Sequence, residues 1–354
     1  MIDSPSALPA RGAADNPPNR FEKIHLERDE DWNPEEDPLP RTQFLRDKTK
    51  TIINYNDSPD VGFEASVNPY RGCEHGCIYC YARPFHEHLG FSSGLDFETK
   101  IMVKEDAPKL LREELSSPKW QPKVIALSGV TDCYQPVERK LKLTRACLEV
   151  LAEFRNPTAI ITKNNLVTRD VDLLSRLAKF HAAAVFISIT TLDTELRKVM
   201  EPRTSPPAAR LAAVRTLSAA GIPVGVLMAP VVPGLTDHEM PSLLAAAAEA
   251  GAKFAGYVTL RLPHAVAPMF EQWLALHFPD RKEKVLNRIR SLRDGKLNQS
   301  AFGVRMRGEG IFADQIEALF DVACRKAGIA GNSPDLSIAS FRRSGHEQLS
   351  LFAS

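Results

Sequence analysis

The chain has 354 residues, 44% apolar and 25% charged, with 45 Lys and Arg against 44 Asp and Glu. That is an ordinary globular composition, long enough for one large domain with appendages or two modest ones, and its net charge of +1 argues for no polyanionic partner by itself. No apolar run approaches the ~20 residues of a membrane span, and the first residues, "MIDSPSALPARGAADNPPNR", hold no hydrophobic signal stretch, so a cytoplasmic protein is expected. In a reducing compartment, clustered thiols bind metal more often than they form disulfides.

Residues 1–60 are rich in Pro, Asn and charge, show little core-forming period, and read as an extended or disordered arm. Within it, "RTQFLRDKTKTIINYND" is a stretch able to dock on the domain C-terminal to it. From residue 62 a rhythm sets in. An opening strand is expected near "GFEASVNPY", then at "VIALSGV", "TAIITKN", "AAVFISITT", "IPVGVLMAPVVP" and "AGYVTLRLP". Amphipathic helical patterns such as "KLTRACLEVLAEFR" and "RDVDLLSRLAKF" separate them, and Gly221 and Gly251 fall where helix C-caps belong. Continuous apolar strands alternating with such helices mean a parallel sheet covered on both faces. Six β/α units over residues 61–263 fit a partial or curved barrel better than a closed eight-stranded one, with an open doubly wound sheet as the alternative. Residues 264–330 read as a helical extension whose segment 281–307 carries nine Lys or Arg against two acids. Residues 331–354 read as a flexible tail.

The chemistry centres on "CEHGCIYCYARP", in which Cys73, Cys77 and Cys80 are spaced Cys-x3-Cys-x2-Cys just beyond the first expected strand. A disulfide would leave an odd thiol. A structural zinc site would need His75, His86 or His88 as its fourth ligand. A cubane iron–sulfur cluster takes three thiolates readily and leaves one iron open, and an open position on a metal serves chemistry. No Gly-x4-Gly-Lys-Ser/Thr and no His-Glu-x-x-His occurs, so the sequence offers neither a nucleotide triphosphatase loop nor a zinc protease helix.

This loop resembles the cluster loop of the radical S-adenosylmethionine (SAM) superfamily, including the aromatic, here Tyr79, before the last cysteine. With "ITKNN", "FISITT", "MEPRTSPPAAR" and "GIPVGVLMAPVVP" it is similar to the spore photoproduct lyase-like branch, over about Asn68 to Pro263. The resemblance implies a partial (β/α)6 barrel, a 4Fe–4S cluster on Cys73, Cys77 and Cys80, and SAM chelated by the fourth iron. It further implies a radical enzyme that needs a low-potential electron donor, a flavodoxin or ferredoxin. Lys163 and Ser188 match positions that contact SAM, and both polar side chains are expected at strand ends facing the site. Tyr79 and Tyr81 belong to the cluster pattern, while Ser128, Thr131 and Asp132 of "LSGVTD" stand where a SAM-binding loop is usual. Arg203 and Arg210 are candidates for a carboxylate or phosphate. The lyase-type hydrogen-donating cysteine aligns with Gly129; Cys133, four residues on, is its shifted candidate, with burial as a small core residue the plainer expectation. Tyr134 is a candidate radical relay, and Cys147 and Cys324 read as packing. DNA or RNA is a candidate partner of segment 281–307. "QLSLF", Gln348 to Phe352, resembles the pentapeptide that binds the bacterial DNA sliding clamp.

Overall fold

The computed structural model describes residues 8–22 and 41–343. Two short strands, β1 (Gln43–Arg46) and β2 (Ile53–Tyr55), precede β3 (Ala65–Val67) and β4 (Tyr70–Arg71). The chain continues through α1 (Leu95–Thr99), β5 (Lys100–Val103), α2 (Ala107–Ser116), β6 (Ile125–Leu127), α3 (Glu138–Leu141) and α4 (Leu143–Phe154). Then come β7 (Thr158–Thr162), α5 (Val171–Ala178), β8 (Ala183–Ser188), α6 (Thr194–Met200), α7 (Pro207–Ala219), β9 (Val224–Val231), α8 (Met240–Glu249) and β10 (Phe254–Thr259). Three helices close the order: α9 (Val266–His277), α10 (Lys282–Ser291) and α11 (Ile311–Ala327).

Seven strands make one mixed sheet in the order β10-β9-β8-β7-β6-β3-β2. From β3 to β10 the neighbours are parallel, and β2 runs antiparallel on the β3 edge. Each parallel step needs a crossover, which the intervening helices supply. The six parallel strands are those expected from the sequence, and they follow chain order without the reversal of a doubly wound sheet. The fold is therefore α/β with a mixed sheet whose outer strands are β10 and β2. A smaller sheet, β1-β5-β4, stands beside it.

The strands read as apolar runs because both faces are covered: all of β6 is buried, and β8 is buried except at Phe186. Helical spacing does the rest. Leu148, Leu151 and Phe154 of α4 and Leu173, Leu174 and Leu177 of α5 enter one apolar core with the strands. Truncating Leu151 to Ala would cost about 2–5 kcal/mol at such a site.

Three stretches sit closer to the fold than their sequence suggests. Within the arm, residues 43–46 and 53–55 are strands of the two sheets. In the C-terminal extension, α11 buries Ile316 and Phe320 in the main core, the Phe320 ring 4.8 Å from that of Tyr257. α9 and α10 instead form a second apolar cluster with Leu196, Met200, Leu260 and Leu262. At the start of the expected tail, Ser337 N donates to His181 O, Arg342 N to Phe154 O and Arg343 to Trp120 O. Gln348 to Phe352 lies outside the described residues.

Candidate active site

The cysteine loop leaves β4 at Gly72 and is shaped by its own backbone. Gly76 has φ +67°, and a Cβ there would stand 2.7 Å from Glu98 Oε2, so glycine is required twice over. Cys73 N donates to Phe97 O at 2.9 Å and Ile78 N to Met200 O at 3.1 Å. Arg83, fully buried, clamps the loop from behind by donating to Cys77 O at 3.0 Å, to Ser93 O and Gly94 O, and to Glu98.

Cys73, Cys77 and Cys80 are free thiols, the first two buried and the third half-buried. Burial raises all three, and for Cys73 and Cys77 neighbouring thiols add to the effect. As thiolates they need positive charge, which iron supplies. Each histidine considered as a fourth ligand has other neighbours. His75 places Nδ1 3.4 Å from Asp132 and Nε2 3.3 Å from Asn164, His86 packs between Phe91 and Phe97, and His88 stacks on Phe21. Among the described residues no three His, Cys, Asp or Glu side chains converge as one metal ion requires. The donor set of three sulfurs on one loop fits a four-iron cluster, which is wider than a single ion and takes a thiolate at each of three corners.

Beside the loop, Lys163 directly follows β7 and Ser188 ends β8. Lys163 Nζ donates to Ser188 Oγ at 2.9 Å and to Ala229 O at 3.1 Å, and lies 5.8 Å from the centre of the Tyr79 ring. The Tyr79 hydroxyl donates to Glu201, which also accepts from Thr190 at 2.7 Å and pairs with the buried Arg210. Arg210 further donates to Ser188 O and Ser205 O. The carboxylate that Arg210 meets is thus the protein's own Glu201, and Arg203 likewise pairs with Glu74 at 3.0 Å.

Asp132 joins three elements. It accepts from Thr162 Oγ1 at 2.8 Å, from Lys163 N at 2.8 Å and from Tyr134 N at 2.8 Å, and faces His75 of the cysteine loop. Burial alone would raise its carboxyl, but His75 and these backbone N–H groups outweigh it and hold the group below its usual range. Ser128 and Thr131 are tied to Asn68, whose Nδ2 donates to Ser128 O and to Thr131 Oγ1 at 2.9 Å. Tyr81, with 40% of its surface exposed, donates to Gly129 O and carries Arg261 over its ring.

Cys133 stands apart from this group. It is fully buried in the main core, its sulfur 3.7 Å from Leu127 O, a place that packing between strand and helix accounts for. Tyr134 is buried as well and donates to Asp170, while Cys147 and Cys324 join the same core. Sequence reasoning passed over Asn68, Asn164, Thr190 and Glu201, and weighed His75 only as a metal ligand. All five lie inside or beside the quoted motifs, but a polar residue's partner is not written next to it.

An α/β sheet with a three-thiol loop at one end and a lysine–serine pair on adjacent strand ends defines a cofactor-dependent enzyme site. The description "Radical SAM superfamily" matches residues 67–247, and the chain belongs to that superfamily, whose enzymes use a 4Fe–4S cluster, SAM and a reductant. An uncharacterised protein of Mycobacterium tuberculosis is 39% identical over 220 residues, 62% of this chain. The chain spans 65% of that relative's length. An uncharacterised protein of Methanocaldococcus jannaschii is 32% identical over 199 residues, 56% of this chain and 71% of its own. Among solved structures, a spore photoproduct lyase mutant matches with TM-score 0.58 and 18% identity, covering 81% of each chain, a likeness of fold. A further mutant of that lyase, with bound AdoMet and dinucleoside spore photoproduct, matches with TM-score 0.57 and 17% identity over 81% of this chain and 80% of its own. Among the described residues no helix is long and apolar enough to cross a membrane.

Proposed function

We propose that the chain holds a 4Fe–4S cluster on Cys73, Cys77 and Cys80 and binds SAM at the adjoining strand ends, on a scaffold that is the partial (β/α)6 barrel of the radical SAM type. When bound, these cofactors supply reductive cleavage to a 5′-deoxyadenosyl radical for hydrogen abstraction. The protein's own part is to position and shield. Lys163 presents an ammonium, and Ser188 a hydroxyl, suited to a carboxylate or ribose oxygen. Glu201 fixes the Tyr79 ring beside Lys163, and Asp132 fixes the Lys163 backbone to the cysteine loop through His75.

The observation that carries the reading is the Lys163–Ser188 pair standing over the aromatic of the cysteine loop. Anaerobic reconstitution with iron and sulfide, followed by dithionite and SAM, is expected to release 5′-deoxyadenosine. A protein that takes up iron and leaves SAM intact under those conditions points to a non-catalytic iron–sulfur module.

For the substrate we favour nucleic acid, supported by the lysines and arginines of segment 281–307 and by the lyase-like fold. Cys133 is not favoured as the hydrogen donor, given its burial. The electron donor of this reading is a flavodoxin or ferredoxin in the cytoplasm. Gln348 to Phe352 is proposed to bind the DNA sliding clamp. The hydrogen bonds of Ser337, Arg342 and Arg343 lead the chain toward Trp120, ahead of β6, and so away from the strand ends that carry Lys163 and Ser188. A peptide of residues 340–354 that fails to compete with a clamp ligand would remove that partner.

A further inference from the structure

Arg261, two residues beyond β10, is a half-buried cation without an anion. Among the described residues no hydrogen bond or ion pair engages its guanidinium, which lies 5.0 Å from the centre of the Tyr81 ring. Tyr81 directly follows Cys80, has 40% of its surface exposed, and donates its hydroxyl to Gly129 O in the loop after β6. The cation therefore lies against the residue next to the third thiol.

Its charged neighbours sharpen the lack of an anion. Arg305 pairs with Asp60 at 2.5 Å, and the other oxygen of Asp60 accepts from Gly303 N at 2.7 Å, so this carboxylate is already committed. Arg293 is fully buried and donates to the carbonyls of Thr259 at 3.0 Å, Leu260 at 3.1 Å and Arg305 at 2.8 Å, meeting no carboxylate among the described residues. Burial, with Arg261 adding to it, lowers the Arg293 group to about 10. Burial also lowers Arg261, and Arg305 adds to that against the opposing pull of Tyr81 and Asp60. Partly desolvated positive charge costs free energy until an anion meets it. A guanidinium set against an aromatic face keeps its N–H donors in plane, a fork that matches two oxygens of a phosphate.

We propose that Arg261 is the phosphate-binding residue of the substrate subsite, holding one phosphodiester of a nucleic acid beside Tyr81 and the cysteine loop. The inference rests on the nucleic-acid reading above and names the residue that seats that substrate. SAM also offers an anion, its carboxylate, but the Lys163–Ser188 pair stands by Tyr79 at the ends of β7 and β8, whereas Arg261 follows β10, the outer strand of the sheet.

Fluorescence anisotropy of the reconstituted protein tests this with two labelled dinucleotides, one with a phosphodiester and one with an uncharged methylphosphonate in its place. The wild type should bind the phosphodiester about tenfold tighter, the size of one charge-assisted hydrogen-bonded pair. Arg261→Gln should erase that preference, and Arg261→Lys, which keeps the charge and loses the fork, should retain part of it. Lys326→Gln, which removes an exposed charge of α11, should leave it intact. In Arg261→Gln the main thermal transition and the SAM affinity, read by equilibrium dialysis, should stay at their wild-type values. A preference kept in full by Arg261→Gln overturns the proposal and leaves the nucleic-acid reading standing. Equal binding of both probes by the wild type overturns it too, as does SAM affinity lost in Arg261→Gln, which would give the residue to the cofactor's carboxylate. If neither dinucleotide binds, inorganic pyrophosphate decides: binding that Arg261→Gln abolishes keeps the anion site and removes nucleic acid as its source, and no binding removes both.

Discussion

Lys163 Nζ lies 2.9 Å from Ser188 Oγ, joining the ends of two neighbouring parallel strands. An ammonium held there by a hydroxyl and by the Ala229 carbonyl can exchange those weak partners for an anionic one. A hydrogen bond to a charged group is worth about 1.5–3 kcal/mol. Lys163→Ala is therefore expected to weaken SAM binding by about tenfold or more, with iron content unchanged. Equilibrium dialysis of the reconstituted variant measures this, and wild-type affinity would remove the role given to Lys163.

The cysteines divide into two sets. Changing Cys73, Cys77 or Cys80 to Ala should abolish the charge-transfer absorbance and the uptake of about four irons per chain. Cys133→Ala should keep both, and should keep SAM cleavage, because its sulfur is spent in the core. Iron analysis after anaerobic reconstitution separates the sets, and iron lost in Cys133→Ala would move that residue into the first of them.

Glu201 predicts an acid limb of stability. Burial pushes its carboxyl up, but Arg210 and Lys163, with hydrogen bonds from Tyr79 and Thr190, outweigh burial and bring it down from 4.5 to about 2. A depressed folded-state value stabilises the protein fully above the unfolded value, and that stability is lost as pH falls toward the folded one. The contribution is about 3 kcal/mol. Glu201→Gln leaves Arg210 buried without its anion and should cost about 3–5 kcal/mol at neutral pH. Urea midpoints of the two proteins should converge as pH falls from about 5 to about 2, the window of the shift from 4.5 to about 2. A difference that stays constant over that window would contradict the pairing.

Segment 281–307 counts +7 along the sequence, yet much of that charge is committed. Arg293 is buried on Thr259 O and Leu260 O, Arg305 pairs with Asp60, Arg288 pairs with Asp237, and Arg307 lies 3.6 Å from the centre of the Tyr257 ring. Among the described residues Arg281, Lys282, Lys284, Arg290 and Lys296 make no ion pair and remain for a phosphate backbone. DNA affinity should then fall with salt at a slope of about −3 to −5, and Lys284→Glu with Arg290→Glu should weaken it for all sequences alike. Fluorescence anisotropy at several salt concentrations measures the slope. Binding that ignores salt, or is absent, favours a small-molecule or protein substrate.

The strand rhythm was legible because a parallel sheet covered on both faces leaves continuous apolar runs, and β6 to β10 each fall on one of them. The end of the domain was not. α11 looks like part of a basic extension until Phe320 is seen against Tyr257, a contact between residues far apart in the chain. The short strands β1 and β2 gave no period because three or four residues cannot show one.

What the sequence determined by itself was the set of three thiols proposed as the cluster's donors. Thiol spacing within one loop is a local property, fixed by covalent connection, so Cys73, Cys77 and Cys80 could be named without coordinates. The fates of Cys133, Arg210 and Arg293 were decided by tertiary structure alone. Each has the chemistry of a site residue, and each is taken up by a partner elsewhere in the chain: a core, a buried Glu201, the carbonyls at the end of β10. The same holds for the segment at Gly12, whose composition reads as loose chain and whose place against Gly76 appears only when two distant backbones meet. A residue type gives the reaction it can perform, but burial and partners, which depend on the whole fold, decide whether it is free to perform it.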